Sequence, residues 1–340
     1  MRYFVKTLII ISCSIFCSCG NNQLAKVERL KVQVEILNSD LEIQYPGTIF
    51  VTHKCLVLHD PFMSSEHIKL LDTETGDVIL GFIDIGQGPK EFVTPTFSYS
   101  TKGILTIFDL NSPKKVQFDI DSLYEGKISI NPTQLYQNDI FELIMLGDNE
   151  FVAGIYRNEN PFRFIQNDSS MYEFGNYPIQ EDITNAFNVF QGTILYNDEK
   201  SIMCYATFNT PYLSLYEYKD QTFTMIWETK FKKAQYFISN NQLRWENNHV
   251  CGISEFAFTR DYIVCMVKEM YLKDATGRGI KEKMARAIYL YDYEGNLKKI
   301  LELDLHSFRI SADPKTNIVY LVGMDDGWCL ARIDLQKIQQ

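Results

Sequence analysis

Several common chemistries are missing from this chain. There is no CxxC pair, no G-x-S-x-G elbow, and no glycine-rich loop closed by Lys-Ser or Lys-Thr. Those gaps remove the zinc ribbon, the α/β-hydrolase nucleophile and the P-loop. Five histidines are scattered over 340 residues and suggest no triad. In "HKCLVLH", His53, Cys55 and His59 share one strand parity. At roughly 3.3 Å per residue the two histidines stand about 20 Å apart, too far to share an ion. No metal site and no cofactor is expected. Basic charge is also short, with 33 Lys and Arg against 43 Asp and Glu. A net charge of −10 argues against nucleic acid and against an anionic membrane surface as partner.

A long apolar run occurs once, in "MRYFVKTLIIISCSIFCSC" at the N-terminus. Arg2 and Lys6 form a basic n-region, and the run Thr7 to Phe16 is too short for a mature membrane span but suits an export signal. "FCSC" ends at Cys19 after the small Ser18 and resembles a bacterial lipobox. That resemblance implies cleavage before Cys19 and acylation of its thiol. Cys13 would leave an unusually short apolar run and Cys17 follows the bulky Phe16, so both fit less well. An ordinary N-terminal anchor helix is the alternative. The expected organisation is a signal peptide over 1–18, a lipidated tether over 19–30 and a folded body over 31–340. Without Arg2 and Lys6 the mature chain carries 31 basic and 43 acidic residues, a net charge of −12. Its only expected membrane attachment is the lipid on Cys19. The five remaining cysteines are odd in number and mostly lie in apolar runs such as "IMCYA" and "YIVCMV", which reads as buried small hydrophobes.

Sustained helical periodicity is almost absent as well. The body consists of short runs rich in Val, Ile, Phe and Tyr, punctuated by Gly, Asn, Asp and Pro. Two features recur. Strands end in acidic turns, as in "IKLLDTETGDVIL" and "AIYLYDYEGNLKKIL", and apolar strands precede a proline, as in "CLVLHDPF" and "CYATFNTPY". Together they define a unit of four strands whose second strand starts near Cys55, Ile104, Phe151, Ile202, Tyr262 and Ile318. The spacing is about 53 residues, the length of a four-stranded propeller blade. The expected fold is all-β, a six-bladed β-propeller of four-stranded antiparallel blades. The last unit supplies only three strands, so "LKVQVEIL" is expected to close the ring as its fourth.

On this reading "DIGQGPKEF" (84–92) is a connector between the first two blades, with Gly86 and Gly88 permitting tight dihedrals, Pro89 stiffening the crossing and Phe92 wedging between blades. With the lipobox and the six-blade length, this stretch makes the chain resemble the TolB-like six-bladed β-propeller lipoproteins, where a G-x-G-P-x-E-F connector recurs; Lys90 stands where many relatives carry glycine. The resemblance implies export and a propeller, and no catalytic residues.

Topology places the inter-blade connectors and the strand 2–3 loops on one face. That face gathers the candidate ligand or partner residues His59, Asp60, Lys90, Glu91, Arg157 and Tyr212, with Asn111, Asn158, Glu159, Asn209, Asp325 and Asp326. Two excursions belong to it. The stretch 232–248 brings Tyr236, Phe237 and Trp245, as a stacking surface or as packing over a blade edge. The insertion 272–286 brings Lys273, Arg278, Lys281, Lys283 and Arg286, as a solvated loop or as a lid for an anionic partner.

The function this supports is a lipid-anchored cell-envelope binding or scaffold propeller, more a binding protein than an enzyme. It is expected to be monomeric and to take an envelope protein or a saccharide or peptide ligand. The alternative is a saccharide hydrolase or lyase using Glu91, Asp60, Asp325 and Asp326 at the channel mouth. The expected location is the envelope of a Gram-negative bacterium, facing the periplasm or at the outer-membrane surface. "GNNQLAK" after Cys19 lacks an early acidic cluster, which favours the periplasm.

Overall fold

The computed structural model describes residues 27–63, 65–100, 102–134, 139–147, 149–275 and 281–339. Two short strands open it, β1 (Glu28–Val32) and β2 (Glu35–Asn38). Blade one follows as β3 (Ile49–Val51), β4 (Cys55–His59), β5 (Ile68–Asp72) and β6 (Val78–Phe82). Blade two is β7 (Pro95–Ser100), β8 (Ile104–Asp109), β9 (Lys114–Asp119) and β10 (Thr133–Gln134). Blade three is β11 (Ile140–Gly147), β12 (Glu150–Ile155), β13 (Phe162–Gln166) and β14 (Ser169–Phe174). Blade four is β15 (Gly192–Asn197), β16 (Ile202–Thr207), β17 (Leu213–Lys219) and β18 (Thr222–Thr229). Each of these is an antiparallel four-stranded sheet in sequence order.

A two-stranded hairpin, β19 (Tyr236–Ser239) with β20 (Gln242–Trp245), separates blade four from blade five. The last two blades share a strand. Blade five runs through β21 (Ile253–Phe258), β22 (Ile263–Val267) and β23 (Ala285–Tyr291) to the first half of β24 (Leu297–Ala312). The second half of β24 pairs with β25 (Ile318–Met324), which pairs with β26 (Trp328–Asp334). The outer strand of blade five thus becomes the inner strand of blade six without a break in pairing.

Six inter-blade interfaces carry six separate apolar clusters, one at each junction around the ring. The middle strands are therefore buried on both faces. β4, β16 and β22 have no exposed residue, whereas outer strands such as β14 and β18 alternate with solvent. This explains why "CLVLH", "IMCYAT" and "IVCMV" read as unbroken apolar runs. All five described cysteines are free and buried, as small hydrophobes in such runs.

The ring does close with N-terminal strand, but "LKVQVEIL" does two jobs rather than one. β2 pairs antiparallel with β26 as the fourth strand of blade six. β1 pairs parallel with β24, adding a fifth strand to blade five. The strand already starts at Glu28, inside the stretch read as tether. Charge fixes both halves: Arg29 bonds Glu269 at 2.7 Å and Glu302 at 2.8 Å, and Arg332 bonds Glu35 at 2.8 Å and, across to blade one, Glu74 at 2.7 Å. Gly76 (φ +76°) in the blade-one hairpin lets that edge close on blade six, since a Cβ there would lie 2.8 Å from Cβ of Asn38.

Candidate functional site

The innermost strand of every blade faces the central channel, leaving N–H groups that no further strand pairs. Among the described residues, four of the six junctions satisfy one such group with a side chain of the preceding blade. The Ser311 hydroxyl accepts from Val51 N–H at 3.0 Å and the Ser98 hydroxyl from Met145 N–H at 3.0 Å. The Glu142 carboxyl accepts from Ile194 N–H and the Thr193 hydroxyl, both at 3.2 Å, and Glu255 accepts from Ile310 N–H at 2.9 Å. Between blades one and two the contact is aromatic, Phe50 against Phe97 at 5.8 Å. The channel these strands enclose holds a cavity of about 130 Å3.

Burial pushes the Glu142 carboxyl up to about 8, against the pull of its two hydrogen bonds. Burial raises Glu255 too, opposed by its ion pair with Arg309. Sequence reading passed over both acids. The signal was there, a single acid within an apolar inner strand in "IFELIM" and "ISEFAF".

The channel opens into a larger cavity of about 600 Å3 at one mouth. Its walls come from the strand 2–3 loops of blades four and five, from the connector after the β19–β20 hairpin, and from the start of the blade-six inner strand. Connectors and 2–3 loops therefore share a face, as the topology implied. Lys268, Lys283, Arg309, Ser254 and Ser307 are its polar walls, and Tyr45, Phe208 and Phe308 its rings. Burial, together with Arg309 and Lys283, pushes the Lys268 ammonium down, with Glu255 pulling the other way.

Of the candidate residues that the structure describes, only Asn209 and, from the insertion, Lys283 line this cavity. Asp60 is fully buried and works as a clamp: its carboxylate accepts the N–H groups of Gln44 at 2.6 Å, Tyr45 at 3.3 Å and Phe62 at 3.2 Å. Asp109 repeats the device in blade two with Val93, Thr94, Asn111 and Ser112. His59 is buried edge-on to His67 at 5.3 Å and against Phe97 at 5.1 Å, and its Nε2 has no partner among the described residues. Burial pushes its imidazole down to about 3, with His67 and Arg309 acting in the same direction. Glu91 folds back on its own loop, accepting Gly88 N–H at 2.8 Å, while Lys90 stands exposed.

Phe92 is fully buried between blades one and two, so the connector wedges as expected. Gly86 and Gly88 serve by close approach rather than by unusual dihedrals: neither has a left-handed φ, and a Cβ on Gly86 would collide with the Glu91 carboxylate. Arg157 is exposed and paired with Asp139 at 2.9 Å. Tyr212 is buried in the core between blades three and four, donating to Glu228 at 2.9 Å.

Trp245 lies flat on His249 with ring centroids 4.0 Å apart. It packs with Phe190, Tyr177 and Leu243 in a satellite core, where the β19–β20 hairpin bonds across to Thr184 and Asn185. Trp245 thus packs over a blade edge while remaining half-buried. Arg278 and Cys19 lie outside the described residues. In the insertion, Lys281 donates to Asp325 O of blade six at 2.8 Å and Arg286 bonds Leu303 O, leaving Lys283 at the mouth. Among the described residues no cluster of three or more His, Cys, Asp or Glu could hold a metal ion, and no helix is long and apolar enough to cross a membrane.

Exposed aromatic rings are concentrated on the mouth face. Phe62, Tyr156, Phe208 and Tyr271 come from the 2–3 loops of blades one, three, four and five, and Phe237 from the hairpin. Among the described residues only Tyr124 is an exposed aromatic elsewhere.

A closed ring of six blades, each built on four antiparallel strands, with loops gathered round one channel mouth, defines a six-bladed β-propeller. The chain belongs to the TolB-like 6-blade propeller-like family, whose model matches residues 25–314. It is similar in fold to a member of the DUF4221 family from Bacteroides vulgatus, with a TM-score of 0.56 at 10% identity over 89% of this chain and 96% of that one. The Cps50 (Swd1) β-propeller domain of Myceliophteria thermophila aligns over 88% of this chain and 99% of its own, with a TM-score of 0.44 and 11% identity. No curated protein sequence matches at a significant level.

Proposed function

We propose that this protein is a lipid-anchored binding propeller of the bacterial cell envelope, tethered through Cys19 and engaging an envelope partner with its mouth face. The observation that carries the reading is the gathering of five exposed aromatic rings on that face. Aromatics are enriched at protein interfaces, and large apolar groups clustered in water mark binding surfaces. The propeller fold is consistent with a binding or scaffold role. The anchor rests on the sequence alone, on the basic n-region, the short apolar run and the lipobox-like "FCSC".

Capture from native envelopes tests the surface. A Phe62→Ser, Tyr156→Ser, Tyr271→Ser variant should lose the partner that the parent protein retains. Met171→Ser, on an outer strand away from the mouth, should retain it. Equal capture by all three proteins refutes the reading. Metabolic labelling with a palmitate analogue tests the anchor: Cys19→Ala should abolish labelling and release the protein from membranes, and persistent labelling would assign the lipid to another cysteine.

A further inference from the structure

The mouth cavity holds three cationic side chains on a chain whose net charge is −10. They converge from different places: Lys268 follows β22, Lys283 ends the blade-five insertion and Arg309 lies in the blade-six part of β24. Arg309 is engaged, pairing with Glu255 and donating to Pro46 O at 3.0 Å. Lys268 and Lys283 are different. Both are half-buried, and neither ammonium has a hydrogen bond or ion pair among the described residues. Ammonium groups withdrawn from water and set near a third cation are costly until a counter-charge arrives.

A second observation points the same way. Ser307 lines the same cavity, is fully buried, and its hydroxyl has no partner among the described residues. Buried hydroxyls are normally bonded, so an orphan in the wall of a cavity marks a polar group that a ligand can satisfy once the wall gives slightly. The third is the aromatic wall. Tyr45, Phe208 and Phe308 line the cavity, and Phe208 keeps 39% of its surface in water. Cations for a carboxylate, a hydroxyl for a hydroxyl and flat rings for an apolar face are the complement of one ligand class.

We infer that the channel mouth binds an acidic saccharide, its carboxylate meeting Lys268 and Lys283, a hydroxyl meeting Ser307 and a C–H face lying against the aromatic wall. The inference rests on the reading of this face as the binding surface and names the chemistry of its centre. The cavity volume of about 600 Å3 is that of a small-molecule pocket.

Calorimetric titration of the intact mature protein with digalacturonate tests it, with galactobiose, citrate and a Glu-Glu dipeptide as comparisons. Digalacturonate should bind about tenfold or more tighter than each of the others, and its affinity should fall with added salt. Lys268→Gln and Lys283→Gln should each weaken it by about tenfold. Because Lys268 gives up no partner among the described residues, its variant should melt no lower than the parent; a clear fall in Tm would show that the ammonium is held internally and would overturn the inference. So would the absence of digalacturonate binding, equal binding of citrate or the dipeptide, or indifference to both lysines. Capture of an envelope partner that depends on Phe62, Tyr156 and Tyr271 is a separate readout. If it persists while digalacturonate fails, the saccharide assignment falls and the binding surface stands.

Discussion

Replacing Glu142 with Gln isolates one carboxyl of the channel wall. An unfolded glutamate titrates near 4.5, whereas burial pushes Glu142 up to about 8 in the fold. Below 4.5 the folded and unfolded chains both hold the proton; between 4.5 and about 8 only the folded chain does. The stability linked to this group is therefore fully present in acid and is lost as pH rises through about 8. Each pKa step is worth about 1.4 kcal/mol, so the whole rise corresponds to roughly 5 kcal/mol as an upper bound. The side chain keeps some surface on the channel, and water there screens part of the effect; roughly 2–4 kcal/mol is the expected loss. Glutamine keeps the carbonyl acceptor for Ile194 N–H and carries no charge at any pH. Urea unfolding of both proteins between about pH 5 and pH 8.5 gives the comparison, with contributions from other groups cancelling in the difference. The Gln variant should gain steadily on the parent and lead by roughly 2–4 kcal/mol at the alkaline end. Parallel curves would refute the assignment of a neutral carboxyl to the channel wall.

The buried histidine has the opposite sign. Its folded pKa lies below 6.5, so stability is lost as pH falls from 6.5 towards about 3, and His59→Phe should flatten that acid limb in thermal melts; an unchanged limb would exclude His59 as its source. Asp60→Ala strands three backbone N–H groups and should cost roughly 3 kcal/mol or more, with Lys90→Ala as a near-neutral control; equal melting of the two would dissolve the clamp. Deleting residues 20–38 removes β1 and β2, exposing the cores around Val32 and Val34, at about 1.5–3 kcal/mol for each buried side chain. That protein should melt far lower or aggregate, while deleting 20–26 should change little, and identical melts would mean that the N-terminal strands close nothing.

The blade phase was legible because a propeller buries its middle strands twice. Cys55, Ile104, Ile202 and Ile318 start β4, β8, β16 and β25, and the expected starts at Phe151 and Tyr262 fall within one residue of β12 and β22. Such strands have no polar face to interrupt them, so the repeat stands out even without sequence identity between blades. The mouth was not legible for the converse reason. Lys268, Ser307 and Arg309 each look like ordinary strand ends or loop residues, Lys283 stands out only as one of five cations in the insertion, and only closure of the ring sets the four together. Asp60 attracted attention as a loop acid beside a proline, yet its carboxylate is used up by backbone N–H groups. Spacing shows where a loop begins; it does not show whether a polar side chain there turns outward or caps its own chain.

The pairing of β1 with β24 also sets an order of events in time. Glu28 pairs with Lys299, so the first strand of the body must wait for a partner some 270 positions further along the chain. Blades one to four can form locally as each emerges, through hairpins of short loop. The seam cannot. Until β24 and β26 arrive, β1 and β2 have no edge to join, and the incomplete ring presents unpaired strands at both ends. Folding of this chain should thus finish with one slow step of large loop closure, and the interval before it is when misassembly or capture by a chaperone is most open to the protein.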